Sequence, residues 1–204
     1  ILGRPDLSSF QVGALPVLNH FLGRLGMAEI LESFLPASDR RRKLHPARAL
    51  VLLVCNLLTS REPLYGVGRW ASAFEPSLLG LSSQEIGLLN DDRIGRALVD
   101  LFDADRPSLI LRIVVQAVRE FGLKLDQFHN DSTSISFEGA YRRADGRTRR
   151  GKPTLKITYG HSKDHRPDLR QLLWSLTVTA DGTVPVNYHV FDGNTNDDTT
   201  HRQT

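Results

Sequence analysis

The sequence is poor in cysteine and in long apolar stretches, and both shortages exclude classes of protein. Cys55 is the single cysteine among 204 residues, so a disulfide framework and a multi-cysteine zinc site are both excluded. The longest apolar run, Ala49–Cys55, has seven residues, whereas a membrane-spanning helix needs roughly 20. The opening residues, ILGRPDL, do not join a basic segment to an apolar one as a secretory signal does. Together these features predict a cytoplasmic protein.

Several motifs of common enzymes are also missing from the sequence. It contains no Gly-rich phosphate loop, no serine nucleophile elbow and no dinucleotide-binding fingerprint. His161 and His165 have an i, i+4 spacing, but Pro167 disfavours a helix there and no Glu lies between them, which argues against a zinc site. The Asx-rich stretch 191–200 does not have the acidic spacing of an EF-hand loop. It is typical of a strand-to-helix turn.

The composition is that of an ordinary globular protein. Hydrophobic residues make up 40% and charged residues 24%, and the formal net charge is +3. Helical periodicity, with Pro or Asp near the first turn, dominates the chain up to Gly122 and predicts a helical N-terminal domain over residues 1–122. The predicted helices are Leu15–Leu25, Pro46–Thr59, Tyr65–Phe74, Asp91–Phe102 and Arg106–Phe121. Pro46–Thr59 is apolar nearly all round, which predicts a buried helix.

The periodicity changes after Gly122 to that of β-strands. Strands are predicted at Gln127–Phe137, Leu172–Ala180 and Val184–Val190. A two-residue loop after Ala180 would place the apolar sets of the last two strands on opposite faces. A longer loop or a bulge is therefore expected, with Leu176 opposite Tyr188 and Val178 opposite Val186. The fold class predicted is α+β, with a second domain over residues 123–204.

The first predicted strand is unusually polar for a core strand. One face carries His129, Asp131 and Thr133, and the other carries Asn130 and a series of serines. Polar side chains where burial is expected often mark a functional site. A carboxylate on a rigid strand is a good ligand for a hard cation, which makes Asp131 a candidate. An edge strand with a solvated face and an incidental Asp131 explains the same pattern.

The connection between the first two strands is strongly basic. Residues 139–171 contain ten Lys and Arg residues against three Asp, a net charge of +7. Clustered cations of this kind neutralise phosphates and give salt-dependent binding to nucleic acid, although a solvated, mobile loop would have the same composition. A smaller basic run, Arg40–Lys43, precedes the apolar helix, and it is either a DNA contact or a plain basic loop.

Three motifs resemble bacterial insertion-sequence transposases of the DDE class. They are His129-Asn130-Asp131-Ser132-Thr133-Ser134, Tyr159-Gly160-His161-Ser162-Lys163-Asp164-His165-Arg166-Pro167-Asp168 and Gly193-Asn194-Thr195. The closest branch has a helical N-terminal domain followed by a ribonuclease-H-like α/β catalytic domain. The resemblance implies that the predicted strands are the first three of that catalytic domain.

The resemblance also implies a chemistry and a set of partners. In such transposases three carboxylates hold two Mg²⁺ (or Mn²⁺) ions that activate water, and then a DNA 3′-hydroxyl, for attack on phosphorus. The first carboxylate corresponds to Asp131. The implied DNA-binding residues are Arg142, Arg143, Arg147, Arg149, Arg150, Lys152, Lys156, Lys163 and Arg166. The implied partners are transposon-end and target DNA and a possible second copy of the chain, with no membrane and a nucleoid-associated location.

The second Asp and the Glu of the family's triad have no counterpart in the sequence. Asp192, Asp197 and Asp198 follow the third strand, which in the resembling fold lies away from the metal site. The chain is therefore expected to be a C-terminally truncated, inactive portion of the enzyme that binds no metal tightly, with an exposed flank on its first strand. The alternatives are a non-catalytic protein that competes for transposon-end DNA, and a helical interaction module without salt-dependent affinity for DNA.

Overall fold

A computed structural model describes residues 9–35, 43–161 and 165–196 of the chain. The described residues fall into two units that divide between Gln116 and Ala117. The division falls within the last helix, six residues before the boundary that the change of periodicity predicts. The fold class is α+β, as predicted, because the described part combines seven α-helices with one three-stranded antiparallel sheet.

The helices agree closely with the sequence prediction where a capping residue marks their ends. In chain order they are α1 Leu15–Arg24, α2 Met27–Phe34, α3 Pro46–Thr59, α4 Val67–Ser72, α5 Ser83–Ile86, α6 Asp91–Asp103 and α7 Arg106–Phe121. The helix predicted over Tyr65–Phe74 is in fact a 3-10 turn, Leu64–Gly66, followed by α4. Helices α2 and α5, of eight and four residues, were not predicted from the sequence.

Local hydrogen bonds explain where the longer helices begin. Pro46 starts α3, and the Nδ1 atom of His45 accepts from the Ala47 N–H at 3.2 Å. Asn90 caps α6 through a hydrogen bond from the Arg93 N–H at 3.0 Å, and Asp105 accepts from Ser108 N–H at the start of α7. Each bond satisfies an N–H that the helix itself leaves unpaired.

The hydrophobic core of the first unit forms around α3, which packs against α2 and α6. Leu15, Leu52, Val67 and Ile94 are among its most deeply buried side chains. The prediction that α3 is buried holds for most of its length, but Leu57 and Leu58 in its last turn are exposed. No single helix of the described residues is long and apolar enough to cross a membrane; α3 and residues 64–72 reach that length together but are bent by 102°.

The sheet consists of β1 Phe128–Phe137, β2 Arg170–Thr179 and β3 Pro185–Asp192 in the order β1-β2-β3. Leu176 lies opposite Tyr188, as predicted. The predicted bulge is present at Thr177 and Val178, but it places Val178 opposite Pro185 instead of Val186. The loop is longer than three residues because the Thr179 N–H bonds to the carbonyl oxygen of Val184.

The two faces of the sheet differ from the expected pattern of burial. Leu172, Trp174, Leu176 and Val178 share one face of β2 but are only partly buried. On the opposite face the buried residues are mostly polar, and they include Gln171, Ser175 and Thr179 of β2 and Ser132 and Ser134 of β1. Within the described residues β1 is an edge strand paired only with β2, which is the second of the two interpretations that its polar pattern left open.

Candidate nucleic-acid interface

The Asp131 side chain lies on the exposed face of edge strand β1. Asp131 is paired in register with Leu176, and Leu176 with Tyr188, so these three residues share a face. The carboxylate accepts a hydrogen bond from the Ser132 backbone N–H at 2.7 Å. The carboxylate therefore projects from a regular strand, and it is accessible from solvent because Asp131 is exposed.

The described residues do not fit a site for two metal ions. Nowhere in residues 9–35, 43–161 and 165–196 do three His, Cys, Asp or Glu side chains group closely enough to hold one ion. Asp192 shares the face of Asp131, but it lies opposite Leu172 and its carboxylate accepts from the Lys156 backbone N–H at 2.8 Å. Asp197 and Asp198 lie outside the described residues. A single strand carboxylate cannot clamp two Mg²⁺ ions.

The basic connection contains an ordered hairpin over residues 145–156, here called the basic hairpin. At its tip Arg149 and Lys152 exchange two backbone hydrogen bonds, each 2.9 Å long. Arg150 and Gly151 between them have φ angles of +52° and +77°. Positive φ at both central residues defines the type I′ turn of a two-residue hairpin. The sequence did not predict this turn, since Arg-Gly is a weaker signal for it than Asn-Gly.

Side-chain hydrogen bonds hold the strands of the basic hairpin together. Thr154 Oγ1 donates to the carbonyl oxygen of Arg147 at 2.6 Å. Asp145 accepts from the Arg147 backbone N–H and forms ion pairs with the Arg147 and Arg149 guanidinium groups at 3.4 and 3.1 Å. The Arg147 N–H, and then the two guanidinium groups, hold the pKa of the Asp145 carboxyl below its usual range. Asp145, the only acid of residues 139–161, is thus engaged by partners within the basic hairpin.

The sheet anchors the other end of the basic hairpin. The Lys156 N–H donates to Asp192, and the Gly193 N–H donates to the carbonyl oxygen of Lys156 at 3.1 Å. Two further backbone bonds join Thr158 to Gln171 at the start of β2. These bonds give the tip a defined position relative to the sheet, unlike a loop tethered only at its ends.

The basic hairpin and the residues before it present a concentrated positive charge. Residues 139–161 contain seven Lys and Arg residues and one Asp, a net charge of +6. Lys152 is partly exposed. The other six are exposed, and they are Arg142, Arg143, Arg147, Arg149, Arg150 and Lys156. Long cationic side chains on an ordered hairpin can contact several phosphates of one DNA backbone.

The two remaining predicted DNA-binding residues, Lys163 and Arg166, lie outside residues 139–161. Arg166 forms two hydrogen bonds with Asp168, at 2.9 and 2.7 Å. This pair raises the pKa of Arg166 and lowers the pKa of Asp168, and it offsets the charge that Arg166 was expected to offer to DNA. Lys163 lies outside the described residues. So do Arg40, Arg41 and Arg42, whereas Lys43 is described and exposed.

Two of the motifs that carry the family resemblance meet at one end of the sheet. The buried Gln171 side chain donates to the carbonyl oxygens of Gly193 and His161, at 2.8 and 3.2 Å. A Cβ atom at Gly160 would collide with the carbonyl oxygen of Gly193, so the close approach requires glycine. Ser136, opposite Gln171, is five residues from Asp131 along β1, which is about 17 Å. The motifs therefore form a structural junction away from Asp131.

The geometry defines a class of protein: a helical unit followed by an antiparallel sheet that carries a basic hairpin. A model of the domain of unknown function DUF4277 matches residues 7–115, more than half of the chain. The protein belongs to the DUF4277 family. No curated protein matches the chain, and no solved structure matches it.

Proposed function

We propose that this chain is part of a DNA transposase of the DDE class and that its basic hairpin holds DNA. The observation that carries the proposal is the ordered hairpin with its excess of exposed cations, since Asp145 is the only acid of residues 145–156 against five basic residues. Two features are compatible with the opening of a ribonuclease-H-like domain. These are the antiparallel order β1-β2-β3 and the position of Asp131 on the first strand.

Mutation of the hairpin tip tests the binding of DNA. We expect the triple variant Arg149→Gln, Arg150→Asn, Lys152→Gln to bind duplex DNA more weakly and with a flatter dependence on salt. The slope of log K against log salt becomes shallower by about 0.9 for each phosphate that the protein no longer neutralises. Asn at position 150 keeps the turn because Asn-Gly is favoured in type I′ turns.

A second triple variant, Arg69→Gln, Arg112→Gln, Arg119→Gln, is the matched control, because it removes the same charge outside the hairpin. Fluorescence anisotropy of a labelled duplex at several salt concentrations measures both slopes. Equal slopes for the two variants would show that the basic hairpin does not contact DNA.

The role proposed for Asp131 is that of the first metal ligand in the complete enzyme. Carboxylate oxygens are the ligands that Mg²⁺ prefers, and with these ligands in place the metal would supply an activated nucleophile. Within this chain Asp131 holds a hydrogen bond from Ser132 and stays accessible. Because the described residues do not assemble a metal site, we expect no cleavage of transposon-end DNA by this chain. Cleavage that Asp131→Ala abolishes would contradict this expectation.

The second candidate function is non-catalytic binding that competes for transposon-end DNA. The isolated position of Asp131, with Asp192 engaged by Lys156, favours it. The genomic reading frame beyond the codon of Thr204 distinguishes the two functions. A further strand with an Asp, followed by a helix with a Glu, supports the transposase, whereas a stop codon supports the competing binding protein.

A further inference from the structure

The helical unit contains a small cavity, and the described charged residues that line it are all basic. Its floor is made of the buried residues Leu44, Pro46, Ala49 and Ala97. Its rim is made of Lys43, Arg93 and Arg96. The cavity lies where the first turns of α3 face α6, two helices that pack against each other in the core.

The helix geometry explains why the cations converge. Arg93 and Arg96 are three residues apart on α6, so they project from the same face of the helix. Ala97, one residue further, has too small a side chain to fill the space between the helices and is buried at the floor. Lys43, which directly precedes the buried Leu44, also lines the cavity.

None of the described residues that line the cavity is acidic. The neighbouring acids Asp91 and Asp92 belong to the first turn of α6 and do not line the cavity. Arg96 Nε donates to the backbone carbonyl oxygen of Asp92 at 3.1 Å, which orients the guanidinium group without neutralising it. Among the described residues no carboxylate forms an ion pair with Lys43, Arg93 or Arg96.

The size of the cavity limits what it can bind. Its volume is about 100 Å³, whereas pockets for cofactors and drug-sized ligands are typically about 300–1,000 Å³. A single anionic group with a few attached carbon atoms fits such a space. Proteins commonly bind phosphate through the guanidinium group of arginine and the ammonium group of lysine, and two arginines and one lysine line this cavity. The apolar floor suits the carbon atoms next to the phosphate.

We propose that this cavity binds one phosphate group of a DNA backbone and so gives the helical unit its own contact with DNA. This inference rests on the proposed function, because both name DNA as the ligand, but it concerns residues outside the basic hairpin. A free inorganic phosphate offers the same chemistry, and titration with inorganic phosphate alone separates the two sources.

The test compares variants of the full chain by anisotropy of a labelled 20-base-pair duplex over a range of salt concentrations. For Arg93→Gln/Arg96→Gln we expect the slope of log K against log salt to fall by about 0.9, the value for one phosphate contact. Arg93→Lys/Arg96→Lys keeps the charge and should restore most of the slope. Arg69→Gln/Arg112→Gln removes the same charge elsewhere and is the control. Lys43→Gln, outside the helices, repeats the measurement without changing α6.

Three outcomes overturn the inference or separate it from the proposed function. A slope for the Gln variants equal to that of the control overturns it. It is also overturned if inorganic phosphate shifts the amide resonances of Ala49 and Ala97 while the DNA slope stays unchanged, because the ligand is then free phosphate. If the hairpin variant has no effect but the Arg93 and Arg96 variant does, the hairpin proposal fails and the cavity stands.

Discussion

At the scale of single residues, the glycines and polar groups of the motif junction matter for structure more than for chemistry. Gly160 and Gly193 allow two backbone segments to touch at the end of the sheet. Gln171, 2% exposed, ties both segments together through its amide. Packing therefore explains the glycines of two motifs that resemble those of DDE transposases.

We expect Gly160→Ala to destabilise the second unit, because its Cβ would overlap the carbonyl oxygen of Gly193. Forcing extra volume into a packed site costs about 1–3 kcal/mol. Urea unfolding followed by the fluorescence of Trp174 measures the change, in a Trp70→Phe background that removes the tryptophan of the other unit.

Gly95→Ala is the matched control for Gly160→Ala. Gly95 lies within α6 of the first unit with open space around it, so Ala there should leave the unfolding transition followed by Trp174 unchanged. A Gly160→Ala variant as stable as the parent would show that the contact between the two glycines is not required.

At the scale of elements, the sequence predicted the helices and strands that have clear end signals. Pro46, Asn90 and Gly122 mark ends of α3, α6 and α7, and the bounds agree to within one residue. It missed α2, whose N-cap Gly26 has no side chain to reveal it. The basic hairpin was missed because Arg-Gly is a weak signal for its turn and because its bonds to Asp192 and Gly193 depend on a segment far along the chain.

The order of the basic hairpin should depend on the charge of Asp145. Its pKa is lowered in the folded state, first by the Arg147 N–H and then by Arg149 and Arg147. A lowered pKa means that the ionised carboxylate stabilises the hairpin above the pH at which an unfolded aspartate titrates. This contribution is lost as the pH falls through the lowered pKa of the folded state.

The amide resonances of Arg147 and Lys152 should report this loss in a pH titration by NMR. Asp145→Asn removes the charge and should abolish the pH dependence while it keeps an acceptor for the Arg147 N–H. Asp126→Asn, also in the second unit, is the control variant and should leave it intact. A titration of these amides at the ordinary pKa of an aspartate would show that the hydrogen bond and ion pairs are absent in solution.

At the scale of the whole molecule, the sequence predicted an α+β chain with a long basic connection, and the structure confirms the fold class. It did not predict which sheet face is buried, because the polar face of β1 and β2, with Ser132 and Gln171, is the more buried one. Tertiary contacts, not alternation along a strand, decide that point. The role of Asp131 as a metal ligand stays a prediction, since the described residues contain no group of three possible metal ligands.

The exposed edge of β1 leads to the last prediction, which concerns association between copies of the chain. β1 is a ten-residue edge strand without proline, glycine, lysine or arginine, whereas β3 begins at Pro185 and pairs through a bulge. Long edges without such devices pair with other strands. We expect the full chain to self-associate with rising concentration in sedimentation velocity. Ile135→Lys, at an exposed position of β1, should weaken this association.

Asn187→Lys is the control for Ile135→Lys, because it places the same charge on the other edge strand, β3. Lysine on an edge strand disfavours pairing with a second chain, since two such charges would lie close together across the new interface. Only the strand that forms the interface should respond. Equal weakening by both variants would assign association to general repulsion, and a greater effect of Asn187→Lys would move the interface to β3. Selective weakening by Ile135→Lys would identify the β1 edge, next to Asp131, as the surface that a further strand covers.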